Sequence, residues 1–296
     1  MKNHVKNAIK KTLSPFLAQP EKITHNHQAP AQSQIEQKQL YLYYKQLLAE
    51  KKPLPSVHDV GFRNFSQNDE DGILLYLFAL IGTTNKKCVD IAFANPHGSN
   101  VTNLICNFNW TGLLVCGSEH EITPAKSFFS SHPDTFIYPP NITNAWITAE
   151  NVNNILEKNG YSGEIDLLSL DIDGVDYWVW KNIETVQPRI VVVEYMNIWT
   201  SEHAVTVPYS PEFNRFNIHE DFCGASLAAF VKLAKSKGYR LVACNKYGFN
   251  AFFVKEELAK DILPEITIEE CLSSPQALDG QKNRQPHVAH LNWQKV

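Results

Sequence analysis

A chain of 296 residues with 44% hydrophobic side chains has room for one large α/β domain with extensions, or for two small ones. Its net charge of −4 excludes a global basic footprint for nucleic acid, and no stretch carries the ~18 successive apolar residues of a transmembrane helix. Six cysteines, Cys88, Cys106, Cys116, Cys223, Cys244 and Cys271, lack C-x-x-C spacing, which predicts reduced thiols in a cytoplasmic protein and argues against a zinc site.

Residues 1–33 are polar and interrupted by Pro15, Pro20 and Pro30, and read as a loosely held lead-in. Their basic, partly apolar start leaves two readings open, a solvated terminus or contact with a membrane surface. A helix is predicted over 35–50, with Leu40, Tyr43, Tyr44 and Leu47 at helical spacing. A strongly apolar helix follows over 69–81, its acids Asp69, Glu70 and Asp71 at the positive end of the helix dipole. From Lys87 onward the pattern alternates. Strands are predicted at 88–93, 112–117, 135–138, 165–171, 189–195, 240–244 and 250–254, with helices at 99–107, 124–131, 149–159, 177–183 and 226–237. Such alternation predicts a doubly wound, mostly parallel seven-stranded sheet. The gap from Asn245 to Phe249 is too short for a crossover helix, so the last two strands should form an antiparallel hairpin. Five parallel strands closed by a hairpin is the plan of a Rossmann-like methyltransferase fold. The expected organisation is an N-terminal extension with one helix (1–60), the α/β domain (61–260) and a C-terminal tail (261–296).

The run E-I-D-L-L-S-L-D-I-D-G-V-D-Y-W-V-W, from Glu164 to Trp180, is the most informative part of the chain. An apolar strand ends in Asp171, Ile172, Asp173 and Gly174, and a second one ends in Glu194. Open α/β sheets bind ligands outside the carboxyl ends of their strands, so two adjacent strands would place all three acids in one crevice. With Asn197 close by, they are candidate hard-oxygen ligands for Mg²⁺ or Mn²⁺, or candidate catalytic bases. The bland alternative makes Asp173 a helix cap and pairs Glu194 with Arg189 or a lysine. His97, His203 and His219 are candidate bases in nearby loops. Tyr195, Trp199, Tyr209 and Phe213 flank a long connection, 197–221, whose length suggests a lid or a substrate wall. In the helix that follows the acids, Trp178 is expected in the core and Tyr177 or Trp180 partly exposed.

Seven stretches occur in order: SQNDEDGILLYLF, W-TGLLV, EIDLLSLDIDGVDYWVWKNI, PRIVVVEY, VTVPYSPEF, GASLAAFVKLAKSKGYRLV and NAFFV. Together they resemble bacterial proteins related to the FkbM-like S-adenosylmethionine-dependent methyltransferases, whose relatives are found in surface-polysaccharide biosynthesis. The resemblance spans about 65–257. It implies methyl transfer to a hydroxyl of a glycan or small-molecule acceptor, with Asp171, Asp173 and Glu194 on the acceptor side. On the cofactor side it implies Asp90, Ala92, Ala94, Ser99 and Asn100 after the first strand, and Cys116, Ser118 and Glu119 after the second. Two departures stand out. Ala92 and Ala94 occupy glycine positions, and the ribose-binding acid at the end of the second strand is replaced by Cys116 and Ser118. They leave two rivals: a methyltransferase fold that has become a binding or scaffold protein, and a metal-dependent glycosyltransferase using Asp171 and Asp173.

Overall fold

The computed structural model describes residues 29–296, with side chains from Ser33 onward. The first 28 positions of the predicted lead-in, with its solvent-or-membrane alternatives, lie outside the described residues. Helix α1 (Ala29–Ala49) packs on α2 (Glu70–Ile81), where Tyr44 meets the edge of Tyr76 at 4.9 Å. In α2 every residue from Glu70 to Leu80 is buried. A helix with no polar face has to be covered all round; here α1 covers it on one side.

The strands are β1 (Lys87–Ile91), β2 (Thr111–Cys116), β3 (Asn141–Asn144), β4 (Gly163–Leu170), β5 (Val186–Glu194), β6 (Val205–Thr206), β7 (Tyr239–Cys244), β8 (Asn250–Lys255) and β9 (Gln294–Lys295). Seven of them form one sheet in the order β3-β2-β1-β4-β5-β8-β7. The pairings from β3 to β5 are parallel, and β8 runs antiparallel to both β5 and β7. This order, with the hairpin strand inserted between β5 and β7, is the Rossmann-like methyltransferase fold.

Alternate residues feed two cores. Val89, Leu168, Val191 and Phe253 join one face with α5 (Val152–Lys158), α6 (Asp176–Asn182) and α7 (Leu227–Ser236). Cys88, Leu167, Val192 and Phe252 join the other with α2, α3 (Thr102–Phe108) and α4 (Glu119–Ser131). All six cysteines are free and buried, as small apolar residues would be. Among the described residues no helix is long and apolar enough to cross a membrane.

Two local expectations fail. The segment 135–138 is a turn that leaves Phe136, Ile137 and Tyr138 exposed, and β3 begins three residues later at Asn141. Its β-branched and aromatic residues suggested a strand, but Pro139 and Pro140 follow and have no N–H for a ladder. In α6 it is Trp180 that lies in the core, against Phe253 and Phe230, while Trp178 is half-buried and donates its indole N–H to the Val207 carbonyl at 2.8 Å. The long connection supplies the partner that draws Trp178 outward.

After β8 the chain forms α8 (Ile268–Cys271), α9 (Pro275–Asp279), one π turn and α10 (Gln285–Val288). Cys271, Leu272, Ala277 and Val288 enter the same core as α7. Strand β9 pairs with β6, and Trp293 packs edge-on against Trp199 and Phe222. The C-terminal segment thereby clamps the 197–224 connection onto the sheet edge.

Candidate active site at the carboxyl edge of the sheet

Register brings the acids together. Leu170 of β4 pairs with Val193 of β5, so the next residues, Asp171 and Glu194, adjoin at the open edge. The turn after β4 is built by Asp176, whose carboxylate accepts from the backbone N–H groups of Ile172 (2.6 Å) and Gly174 (3.0 Å). That holds Asp173 in the left-handed region, φ 59°, which Asp tolerates better than most residues. Gly174 is required by packing, because a Cβ there would lie 2.9 Å from the Phe213 ring. Ligand oxygens of Asp171, Asp173 and Glu194 lie within 4.8 Å of one another.

The bland alternatives for these acids do not describe the structure. Asp176 organises the turn, and Asp173 forms an ion pair with Arg215 at 2.6 Å. Arg189 pairs with Asp166 at 3.3 Å and donates to the Ile81 carbonyl, and Glu194 faces Asp171 instead. Burial, then the charges of Asp176 and Asp173, push the Asp171 carboxyl up to about 7. Burial, then Asp171, push Glu194 well above the usual carboxylate range. Such a pair favours sharing one proton near neutral pH.

Glu194 also contributes, with Asn197, Arg215, Phe216, Asp221 and Arg284, to the lining of a cavity of about 360 Å³. Asn197 is buried and its Nδ2 has no partner among the described residues. Arg215 opens a short 3-10 turn in the 197–224 connection, which thereby forms one wall of the cavity. Sequence reading missed Arg215, since a lone arginine in a long loop gives no local signal. The three loop histidines do not line this cavity. His97 stacks on Phe65, His203 bonds Thr200, and His219 accepts the Asp221 N–H. Of the flanking aromatics, Tyr195, though largely buried, contributes to the lining, Trp199 is buried, Phe213 packs on Phe222, and the Tyr209 hydroxyl bonds Glu150 at 2.5 Å. Phe216, 75% exposed, stands at the rim.

On the side of β1, the buried Asp90 accepts from the Ser99 hydroxyl at 2.6 Å, and burial pushes its carboxyl up to about 6. Ser169 of β4 also bonds Asp90, and it receives the Asn100 amide at 3.2 Å. Asp90, Ser99, Asn100 and Ser169 therefore form one polar network under the β1 loop. The only sequence signal for Ser169 is a hydroxyl inside an apolar run. The Asp171 N–H donates to the Ile91 carbonyl at 3.3 Å, joining this network to the acids. Ala94 is exposed. Cys116 is buried, with its thiol on the Ser118 carbonyl at 3.1 Å, and Ser118 and Glu119 are exposed at the start of α4.

Ala92 adopts φ 69°, the conformation its glycine counterpart would adopt freely. An L-residue there is strained by ~1–2 kcal/mol, partly offset by the lower entropy of an unfolded alanine. Ala92→Gly is expected to stabilise the chain by about 0.5–1 kcal/mol in denaturant unfolding. A destabilised variant would contradict the strain.

No protein-family model and no curated protein matches this chain. Solved structures give distant likenesses. An O-methyltransferase from Bacillus cereus in complex with SAH is 13% identical, covers 84% of this chain and 97% of its own, and has a TM-score of 0.42. The methyltransferase domain of bacterial CtHen1 is 14% identical over 63% of this chain and 97% of its own, TM-score 0.41. A putative O-methyltransferase from Klebsiella pneumoniae is 14% identical over 74% and 99%, TM-score 0.40. The fold assignment stands on the strand order.

Proposed function

We propose that the protein is an S-adenosylmethionine-dependent O-methyltransferase acting on a hydroxyl of a glycan or glycan precursor. The observation that carries this reading is the joining of two groups at one sheet edge. The β1 loop, with Ala92 in the left-handed conformation over the Asp90 network, stands beside the Asp171, Asp173 and Glu194 cluster. Bound S-adenosylmethionine supplies an electrophilic methyl group. Asp90, Ser99 and Asn100 shape the floor under the β1 loop, and Glu119, exposed at the start of α4 three residues after Cys116, would stand in for the missing ribose ligand. On the acceptor side, Asp171 and Glu194 take up the hydroxyl proton, which their raised proton affinity suits near neutral pH. Arg215 holds Asp173 in place.

The donor set fits a hard divalent cation, being three carboxylates with oxygens within mutual reach. Asp171, Asp173 and Glu194 would hold Mg²⁺ or Mn²⁺, with Asn197 lining the same cavity, and the ion would lower the pKa of a bound hydroxyl. Arg215, at 2.6 Å from Asp173, competes for the same charge.

A binding or scaffold role is favoured by Cys116 and Ser118 in place of an acid and by a β1 loop without the expected glycines. The closing hairpin speaks against a glycosyltransferase. Calorimetric titration with S-adenosylmethionine and S-adenosylhomocysteine, with and without Mg²⁺ or Mn²⁺, separates these readings. Micromolar binding of either is expected. A folded protein that binds neither would turn the assignment to the scaffold role.

A further inference from the structure

The acceptor side of the sheet edge holds two buried donors that no acceptor among the described residues takes. Asn197 is 3% exposed, and its Nδ2 is unpartnered. Nε of Arg215 is buried and unpartnered as well. The contacts of Arg215 with Asp173 (2.6 Å) and with the Cys223 sulfur (3.6 Å) both run through Nη1. Asn197 and Arg215 contribute, with Glu194, to the lining of the same cavity. Amide and guanidinium N–H groups can only donate. Buried donors are nearly always bonded, and each exception calls for a physical reason. A binding site is such a reason, because its ligand brings the missing acceptor oxygen.

Charge decides which kind of oxygen. Glu194, Glu220 and Asp221 line the cavity against Arg215 and Arg284, and Arg284 already bonds Asp221 through Nε and Nη2. Asp171 and Asp173 stand with Glu194 and add to the acidic side. An anionic ligand group would meet more acid than base there. A hydroxyl suits both: its oxygen accepts from Asn197 and Arg215, and its proton can be given to a carboxylate. Phe216 adds an apolar surface at the rim. It follows Arg215 in the same 3-10 turn, with the guanidinium 5.0 Å from its ring centroid, and its exposed ring suits the C–H face of a sugar.

We infer that Asn197 and Arg215 read a second, neutral hydroxyl of the acceptor while its reacting hydroxyl lies at Asp171 and Glu194. The acceptor is then an uncharged sugar with at least two free hydroxyls, and not a sugar acid or a sugar phosphate. This rests on the proposed reading of the edge as the acceptor side of a methyltransferase. A site built to bond a hydroxyl discriminates strongly against the analogue that lacks it, since the buried donors are then left unmet.

Titration of the full chain with methyl glucoside, methyl galactoside and methyl mannoside, without cofactor and followed by ligand-observed NMR, tests it. At least one of the three should bind at millimolar concentration, and more tightly than glucuronic or galacturonic acid. Asn197→Leu should weaken that binding by about tenfold, the worth of one good hydrogen bond. It should melt no lower than the parent, because it removes an unmet donor and no bond of the fold. Arg215→Lys keeps the charge facing Asp173 and loses Nε, and should weaken binding by a similar factor. Among monodeoxy analogues of the bound glycoside, one should lose about tenfold on the parent and nothing further on Asn197→Leu. Four outcomes would overturn the inference: binding of none of the three glycosides; tighter binding of a uronic acid; parent-like binding by both variants; or an Asn197→Leu chain that melts well below the parent, which would make Asn197 a structural residue. Sugar binding needs no cofactor, so the two readings fail separately. A chain that binds S-adenosylmethionine and none of the glycosides refutes the sugar site alone. One that binds a glycoside through Asn197 and no cofactor refutes methyl transfer alone.

Discussion

Asp171→Asn is expected to lower methyl transfer by about 10²- to 10⁴-fold, the range for loss of a positioned proton acceptor, in a chain that melts no lower than the parent. Both effects share one cause. Asp171 stands at the end of a buried strand, with Glu194, Asp173 and Asp176 as acidic neighbours. Burial and those charges raise its proton affinity, which makes it a base matched to neutral pH and also makes its ionised form unfavourable in the folded state. Asparagine keeps the shape and removes one of the crowded charges. At pH 8 the variant should therefore melt above the parent, and the gap should narrow as pH falls, closing only below about 3.8, where Asp171 is protonated in the unfolded chain as well. Release of S-adenosylhomocysteine in single turnovers, read beside thermal unfolding, checks the pair. Parent-like turnover would remove Asp171 from the chemistry, and a variant that unfolds would make the acid a structural one. A stability gain with activity loss is the signature of a site kept under strain for function.

How far this site was legible in the sequence depends on the kind of interaction. Asp171, Asp173 and Glu194 could be placed because strand ends are visible as abrupt stops in apolar runs, and adjacent parallel strands bring such stops together. The short link from Asn245 to Phe249 made the hairpin legible for a steric reason. What was illegible depends on partners remote in the chain. Asp176 looks like any helix-start acid until its carboxylate is seen to bond Ile172 and Gly174. Arg215 reaches Asp173 across 42 positions. The sense of Trp178 and Trp180 reversed because Val207, a residue of the long connection, takes the indole N–H. The departure at Ala92 reads differently once its φ is known. The loop keeps the backbone path that glycine would allow, with strain in the alanine, so the missing glycine does not mean a missing turn.

The second large effect concerns pH and divalent ions together. Asp171 and Glu194 both have proton affinities raised above their ordinary values, Asp171 from 3.8 to about 7, by burial first and neighbouring acids second. For a group raised in the folded state, the stability it contributes is present in full below the unfolded value and is lost as pH climbs through the folded one. In chelator the melting temperature should therefore fall from about pH 4 upward, through pH 7 and beyond, on account of these two groups. A divalent ion needs the same carboxylates ionised, so protons compete with it and its effect should be small at pH 5 and large at pH 8. Saturation at about a hundred times the dissociation constant stabilises by about 2.7 kcal/mol. That corresponds to a melting shift of roughly 5–10 °C for a domain of this size. Asp173→Asn should abolish the shift, because it removes one ligand and frees Arg215 to turn toward Glu194. A melting temperature that rises with pH in chelator would show that the acids are not crowded as the structure has them. An absent shift with Mg²⁺ and Mn²⁺ at pH 8, alongside a dead Asp171→Asn variant, would leave the carboxylate pair as the base and Arg215 as its only counter-charge. The test thus separates two chemistries that the same three side chains support: metal-assisted ionisation of the acceptor hydroxyl, and direct proton transfer to a shared-proton pair.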